Sequence, residues 1–199
     1  MQTLVRIDAE EYLRRERAGR DKHEFINGAI RLMPGASLKH NRIQTKLIVS
    51  LSFQVGADNV YGSDLRVHNP LTDSFCYPDV TVTTAPPRLL DETHQDVLLN
   101  PAVVFEILSP STASYDQGDK FRVYRSLPDL HAYVMVWQDE QRVECMFRNE
   151  RGNWEIAAYH DGNDALTLLD GRLRPGSPIS TAPLDALTPR PRGGPWGGE

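Results

Sequence analysis

The apolar segment VVFEIL, residues 103–108, constrains the fold of this chain more than any other stretch. Side chains alternate across a strand, and here both faces carry apolar groups, so the pattern predicts a central strand covered on both sides. Glu106 interrupts this run. A carboxylate is costly to bury unless it is paired, hydrogen-bonded or bound to a metal. Glu106 therefore needs a partner, near the end of the strand where a cleft can reach it.

The rest of the pattern predicts helices packed on a mixed β-sheet, an α/β fold. The predicted helices cover residues 9–19, 38–55 and 113–126, a hairpin turns at Asn27-Gly28, strands cover about 59–68, 76–84, 101–108 and 131–137, and residues 141–148 and 153–160 form a closing antiparallel pair. Residues 84–100 are predicted to be a surface loop. We expect one domain over residues 1–178 and a Pro/Gly-rich tail over 179–199.

Composition narrows the function classes. The 199 residues carry a net charge of −5, which argues against coating nucleic acid by bulk electrostatics but allows an enzyme with a local basic groove and an acidic metal site. No apolar run approaches the roughly 18 residues of a membrane span, and the N-terminus lacks an apolar signal segment. We therefore expect a cytoplasmic protein without a membrane partner. Cys76 and Cys145 form no CxxC motif and are expected to be reduced and packed as small hydrophobes.

A second carboxylate, Asp79, lies in the strand that precedes Glu106 in sequence. Two neighbouring strands that each carry one inward carboxylate could hold a divalent cation, and Mg²⁺ suits such a site because it accepts one or two carboxylates and keeps several waters. Two other interpretations remain open at this stage. Glu106 could form a structural ion pair with an arginine, and Asp79 could be a turn or cap residue.

Lys120 follows on the next predicted helix, where Asp116, Lys120 and Tyr124 are spaced to line one face. One interpretation is a solvated Asp–Lys pair that contributes a few tenths of a kcal/mol. The other turns Lys120 toward the carboxylates, where its ammonium could position or help deprotonate an attacking water and stabilise charge on a phosphate.

Several motifs together resemble the Uma2 family, which is placed in the PD-(D/E)XK nuclease superfamily. They are HEFINGAI, LKHNRI, YPDVTV, FEILSPST and YDQGDKFRVYRSLPDLHAYVMV, and the resemblance spans roughly residues 9–159. It implies a restriction-endonuclease-like core and a Mg²⁺-dependent endonuclease, with Mn²⁺ as a substitute, that hydrolyses phosphodiester bonds of nucleic acid, DNA in the first place. It also makes a homodimer an expectation.

The resemblance also assigns residues. Asp79 would be the PD aspartate and Glu106 the second metal-ligating carboxylate, while the superfamily's lysine would be supplied by Lys120, since the usual position holds Leu108. Glu24 resembles the acidic residue ahead of the PD strand. It could orient a water, or pair with Lys22 or Arg31 at a strand edge.

His40 and Trp137 complete the comparison with the family pattern. His40, on the inward face of its helix, could carry a proton or contact phosphate, or could simply hydrogen-bond backbone. Trp137 occupies a position where family members often have aspartate. If that aspartate belongs to the working site, activity is in question, and if it only ends the strand, nothing follows.

Two alternative functions remain from the sequence. The first is a catalytically inactive nuclease-fold module for binding or regulation, which the acidic charge and Trp137 favour. The second is a hydrolase of small phosphoesters, because no basic stripe, aromatic platform or recognition helix is evident.

Overall fold

The computed structural model describes residues 7–110, 112–159 and 168. Its strands are β1 (His23–Ile26), β2 (Ala29–Leu32), β3 (Val60–Gly62), β4 (Arg66–Asn69), β5 (Ser74–Cys76), β6 (Val80–Val82), β7 (Val97–Leu98), β8 (Val103–Leu108), β9 (Ala132–Trp137), β10 (Val143–Arg148) and β11 (Trp154–Tyr159). Its helices are α1 (Ala9–Ala18), α2 (Leu38–Val55), α3 (Ala113–Tyr115) and α4 (Phe121–Tyr124), with a 3₁₀ turn at Ala57–Asn59 and a π-helical turn at Asp116–Lys120. The predicted tail, residues 179–199, lies outside the described residues.

The larger sheet has the strand order β11-β10-β9-β8-β6-β3. Strands β8 and β9 run parallel, joined by the α3–α4 crossover, and the other neighbours are antiparallel. The prediction of an α/β fold with a mixed sheet and flanking helices is confirmed.

Strand β8 is buried along its whole length. On one face Val103, Phe105 and Ile107 pack in a cluster with Leu47 and Leu51 of α2. On the other face Val104 and Leu108 pack in a second cluster, which includes residues of α4 and of the smaller sheet. The prediction of a central, doubly covered strand is therefore confirmed.

The smaller sheet, in the order β2-β1-β5-β4-β7, corrects part of the predicted strand pattern. The predicted strand at 59–68 is two strands, because the chain turns between Gly62 and Leu65, and β3 and β4 then join different sheets. The predicted strand at 76–84 likewise divides, into β5 and β6. The predicted surface loop at 84–100 contains the two-residue strand β7, which pairs with β4.

The hairpin turn at Asn27-Gly28 and the start of α1 at Asp8 were both predicted correctly from local sequence signals. Asn27 and Gly28 both adopt positive φ, as the tightest hairpin turn requires, and β1 pairs with β2 across them. Asp8 caps α1 by accepting a hydrogen bond from the Glu11 amide, and the helix ends before Gly19. Among the described residues, no helix combines the length and apolar character needed to cross a bilayer.

The predicted helix at 113–126 begins at Ala113 but widens into a π turn before α4. The hydroxyl of Tyr133, on β9, donates to the Asp116 carbonyl at 2.9 Å, so a buried side chain satisfies a carbonyl at the start of this turn. Single π turns inside α-helices are frequently found at functional sites. This one brings Asp116 and Lys120 into the interior, where both are buried.

Candidate active site

The ammonium of Lys120 lies at the centre of a buried acidic cluster. Its Nζ is 2.8 Å from Glu106 Oε1, 3.0 Å from Glu24 Oε1 and 3.6 Å from Asp116 Oδ1. Because Lys120 is only 3% exposed, the interpretation as a solvated Asp–Lys pair is wrong. Glu106 does form a buried ion pair, as the alternative proposed, but its partner is this lysine, so the predicted arginine is wrong. Tyr124, one turn further on, donates to Glu106 Oε1 at 3.4 Å.

Glu24 reaches the cluster from β1 in the smaller sheet and is 2% exposed. Its carboxylate accepts hydrogen bonds from the Tyr77 amide at 3.2 Å and from the Tyr115 hydroxyl at 2.8 Å, in addition to the ion pair with Lys120. Lys22 instead contacts Asp64, and Arg31 stacks on the Tyr115 ring. The predicted strand-edge pairing of Glu24 with Lys22 or Arg31 is therefore wrong.

Asp79 immediately precedes β6 and lies beside the end of β8. Because Val80 pairs with Phe105 in antiparallel register, Asp79 comes next to Glu106 across the ladder. Its Oδ2 accepts from the Ile107 amide at 2.6 Å and lies 3.1 Å from His40 Nε2. Asp79 thus bonds to a neighbouring strand, and the alternative of a local turn or cap residue is wrong.

His40 lies near the start of α2, where Ser37 caps the helix by accepting from the His40 amide at 3.1 Å. The imidazole contacts Asp79 through Nε2, while its buried Nδ1 has no hydrogen-bond partner among the described residues. Gln44, one turn further along the same face, donates from Nε2 to the Asp79 carbonyl at 2.8 Å. Helix α2 therefore fixes both the carboxylate and the backbone of Asp79.

The cluster contains more carboxyl groups than cationic groups. Burial raises the pKa of Glu106 well above its ordinary value, Lys120 opposes this, and Asp79, Asp116 and Glu24 raise it further. Burial also raises the pKa of Asp116, against the influence of Lys120. Burial alone would lower the pKa of Lys120, but Glu106 and Glu24 hold that pKa well above its usual range. Lys120 is consequently a protonated ammonium at neutral pH.

A cleft of about 580 Å³ opens onto these side chains. Its wall includes all five residues that the sequence singled out, which are Glu24, His40, Asp79, Glu106 and Lys120. It is also lined by the cationic side chains of Arg20 and Lys22, from the connection between α1 and β1, and of Arg31, from β2. The arrangement combines a carboxylate pair, an ammonium and an open approach with cations along one side.

The donor set allows a test of whether a divalent cation fits. Within residues 7–110, 112–159 and 168, no group of three or more His, Cys, Asp or Glu side chains is arranged to hold a metal ion. Asp79 and Glu106 supply two carboxylates from adjacent strands, and Mg²⁺ binds through one or two carboxylates and retains waters. The excess negative charge around Glu106 further favours a cation. The residues present therefore fit Mg²⁺ or Mn²⁺ held by a pair, and do not fit an all-protein cage.

Sequence reasoning missed three residues that hold the cluster in place, namely Tyr77, Tyr115 and Gln44. Of these three, only Gln44 could have been found from the sequence, because it follows His40 by four positions and so lies on the same helical face. Trp137 ends β9, stacks with Arg142 at 4.3 Å and is not among the residues that line the cleft.

Comparison with known proteins agrees with this fold. A family model, Uma2, described as "Putative restriction endonuclease", matches residues 9–172. "Uncharacterized protein slr1290" of Synechocystis sp. is 35% identical over 165 residues, covering 82% of this chain and 85% of that protein. "Uncharacterized protein sll1609" of the same organism is 37% identical over 140 residues, covering 69% of this chain and 78% of that protein.

A solved structure has a similar fold. It is a crystal structure described as "a putative nuclease belonging to DUF820" from Anabaena variabilis, with a TM-score of 0.71 and 19% identity over 88% of this chain and 98% of that chain. At this identity the likeness shows the fold alone.

Proposed function

The chain belongs to the Uma2 family, and from this premise we propose that it is a metal-dependent endonuclease. It hydrolyses phosphodiester bonds of nucleic acid, with DNA as the expected substrate. One observation carries the proposal. Asp79 and Glu106 come from adjacent antiparallel strands and line the same cleft as the buried ammonium of Lys120. Two carboxylates and a cationic group are the side chains that metal-assisted phosphodiester hydrolysis needs.

Asp79 and Glu106 are the residues that would hold Mg²⁺, or Mn²⁺ in its place. When bound, the cation offsets the negative charge that develops on the phosphate and lowers the pKa of water at the site. The remaining acidic side chains do not compete equally for this role. Both carboxylate oxygens of Glu24 accept from protein donors, Oε1 from the Tyr77 amide and Oε2 from the Tyr115 hydroxyl, whereas Lys120 and Tyr124 both contact Oε1 of Glu106. We therefore assign Glu24 to the positioning of Lys120.

Lys120 contributes positive charge and orientation. Glu106 and Glu24, at 2.8 and 3.0 Å from its Nζ, raise its pKa and favour the charged ammonium, which donates hydrogen bonds. We therefore propose that Lys120 places the nucleophile and stabilises phosphate charge, while its role in deprotonating water stays a prediction from the sequence. Its buried position between Glu106 and Glu24 fixes the ammonium before substrate arrives, which is the preorganisation that makes electrostatic stabilisation effective.

His40 has a supporting role in this proposal. Its Nε2 contact with Asp79 orients the carboxylate together with the Ile107 amide. Hydrogen-bond partners of this kind fix the ligand's geometry and tune its basicity. We therefore assign His40 to the orientation of Asp79.

The first test measures metal binding without any assumption about substrate. Mn²⁺ is titrated by calorimetry into the wild type, Asp79→Asn and Glu106→Gln, with circular dichroism to check that each variant folds. Glu150→Gln, at an exposed position outside the cleft, is the matched control for the loss of one carboxylate. We expect binding in the wild type and the control and its loss in both site variants. Binding that survives in both folded site variants would show that the metal residues are placed wrongly.

The second test measures cleavage. The same proteins are incubated with supercoiled plasmid, single-stranded DNA, RNA or a small chromogenic phosphodiester in Mg²⁺ or Mn²⁺, with EDTA as the negative control. We expect metal-dependent cleavage by the wild type and Glu150→Gln only. Metal binding without cleavage of any polymer would favour a binding or regulatory module. Turnover of a small phosphodiester alone would favour a small-phosphoester hydrolase.

A further inference from the structure

Arg31 occupies an unusual place at the mouth of the cleft. It lies on β2, the outer strand of the β1–β2 hairpin, whose residues are all exposed, and its side chain lines the cleft. Among the described residues, no carboxylate lies within ion-pair distance of its guanidinium. Lys22 on the same rim, by contrast, contacts Asp64 and the Ser63 carbonyl.

The guanidinium of Arg31 is nevertheless held in place. Its Cζ lies 3.6 Å from the centroid of the Tyr115 ring, the distance of a stacked cation–π contact. Tyr115 is itself fixed, because its hydroxyl donates to Glu24 at 2.8 Å. Burial, followed by the charge of Glu24, raises the pKa of the Tyr115 hydroxyl, so it remains a donor across the working range of pH. Glu24 in turn pairs with Lys120 at 3.0 Å.

A continuous series of contacts therefore runs from the exposed Arg31 to the buried site at Glu106, through Tyr115, Glu24 and Lys120. Stacking uses the face of a guanidinium and leaves its edge, with the N–H donors, free to bind. That edge matches the geometry of a phosphate, and arginine is less strongly hydrated than lysine. The stack also restricts the rotamers of a long side chain, so less entropy is lost when an anion binds.

We propose that Arg31 is a phosphate-positioning residue, which binds a non-scissile phosphate of the nucleic-acid strand and thereby sets the register of the scissile bond over Asp79 and Glu106. This inference rests on the proposed nuclease function. It gives the chain a local cation for the polymer backbone, as an acidic protein requires if it is to hold nucleic acid at one groove. A small phosphoester with a single phosphate would not use this contact.

The experiment measures how binding and cleavage depend on salt. Wild type, Arg31→Ala, Arg31→Lys and Arg151→Ala are titrated into a fluorescent DNA duplex and its single strand in EDTA at several salt concentrations. KM and kcat are measured in Mg²⁺ on the same DNA. Arg151 is the matched control, since it is exposed in the turn between β10 and β11 and lies outside the cleft.

Arg31→Ala should weaken binding to DNA and raise KM by roughly ten-fold or more, the range for a hydrogen bond to a charged group. It should reduce the slope of log affinity against log salt by about 0.9 for duplex, the loss of one phosphate contact. Arg31→Lys should keep the slope but bind less tightly than the wild type, because charge remains and the planar edge is lost. Arg151→Ala should match the wild type.

Two outcomes would overturn the inference, and they are distinguishable. If the wild type cleaves DNA while Arg31→Ala matches Arg151→Ala in slope, affinity and KM, Arg31 only packs on Tyr115 and the nuclease function stands. If the wild type neither binds nor cleaves DNA, this inference fails, and the proposed function fails with it when RNA also stays uncleaved in the second test.

Discussion

The ammonium of Lys120 lies 2.8 Å from Glu106 Oε1, and both side chains are almost completely shielded from water. A second carboxylate, Glu24, lies 3.0 Å from the same ammonium. Desolvating two carboxylates and an ammonium is costly, so the cluster is not there for stability alone. An arrangement that costs stability at a cleft is typical of a functional site.

Lys120→Met should destabilise the protein by about 3–5 kcal/mol, because it leaves buried carboxylates without a counter-charge. Adding Glu106→Gln to this variant should recover part of the loss, since one uncompensated charge is then removed. Urea denaturation of the two variants and the wild type measures both effects. A loss below about 1 kcal/mol in the single variant would contradict the buried ion pair, because exposed pairs contribute no more than that.

The support of Asp79 by His40 leads to a prediction about the metal. His40→Ala removes the Nε2 contact of 3.1 Å and leaves the Ile107 amide to orient the carboxylate. Loss of such a supporting partner typically weakens metal affinity or activity by about 10–100-fold. Calorimetry with Mn²⁺ and plasmid cleavage should both show this loss. His131→Ala, at an exposed position outside the cleft, serves as the control, and equal behaviour of the two variants would remove His40 from the site.

Much of the site could be predicted from sequence because its two carboxylates belong to local patterns. Glu106 stands out within an apolar strand, and Asp79 immediately precedes the strand beside it. The contact of Glu24 with Lys120 could not be derived from local periodicity, because it depends on how the smaller sheet packs against the crossover between β8 and β9. Strand order within a sheet is set by tertiary packing and is absent from local alternation of apolar residues.

The π turn shows the same limit at a smaller scale. Regular helical spacing predicted that Asp116, Lys120 and Tyr124 share a face, and all three side chains do meet around Glu106 or Lys120. In the widened turn, the Asp116 carbonyl accepts a hydrogen bond from a hydroxyl of β9, that of Tyr133. Such a partner from a distant strand leaves no mark in the helix's own sequence.

The hydroxyl of Tyr115 should contribute measurably to stability. Tyr115→Phe removes the 2.8 Å hydrogen bond to Glu24 and leaves a buried carboxylate oxygen short of a donor, at a cost of about 1–3 kcal/mol. Tyr61→Phe is the matched control, because its hydroxyl donates to the Asp58 carbonyl in an exposed contact. That variant should lie within about 0.5 kcal/mol of the wild type. Thermal and urea unfolding measure the stability of both variants. Equal losses would mean that the Tyr115–Glu24 hydrogen bond contributes no more to stability than an exposed one.

The two cysteines should be unreactive in the folded protein. Burial raises the pKa of Cys145 to about 12 and the pKa of Cys76 well above its usual range. Since the thiolate is the reactive form, a thiol reagent at pH 8 should label neither residue until the protein unfolds. The raised pKa also means that the folded state favours the protonated thiol, so stability falls as pH rises from about 9 toward 12. Rapid native labelling of two thiols would contradict the burial of both.

Helix α2 provides the last test, because two of its side chains lie on opposite faces only two positions apart. Leu51 is completely buried in the cluster against β8, whereas Phe53 is 87% exposed. Leu51→Ala should cost about 2–5 kcal/mol through lost burial and a residual cavity, while Phe53→Ala should change stability by no more than about 0.5 kcal/mol. Urea denaturation of both variants checks the difference. If the larger loss fell on Phe53, the face of α2 packed on the sheet would be wrong, and with it the orientation that brings His40 and Gln44 to Asp79.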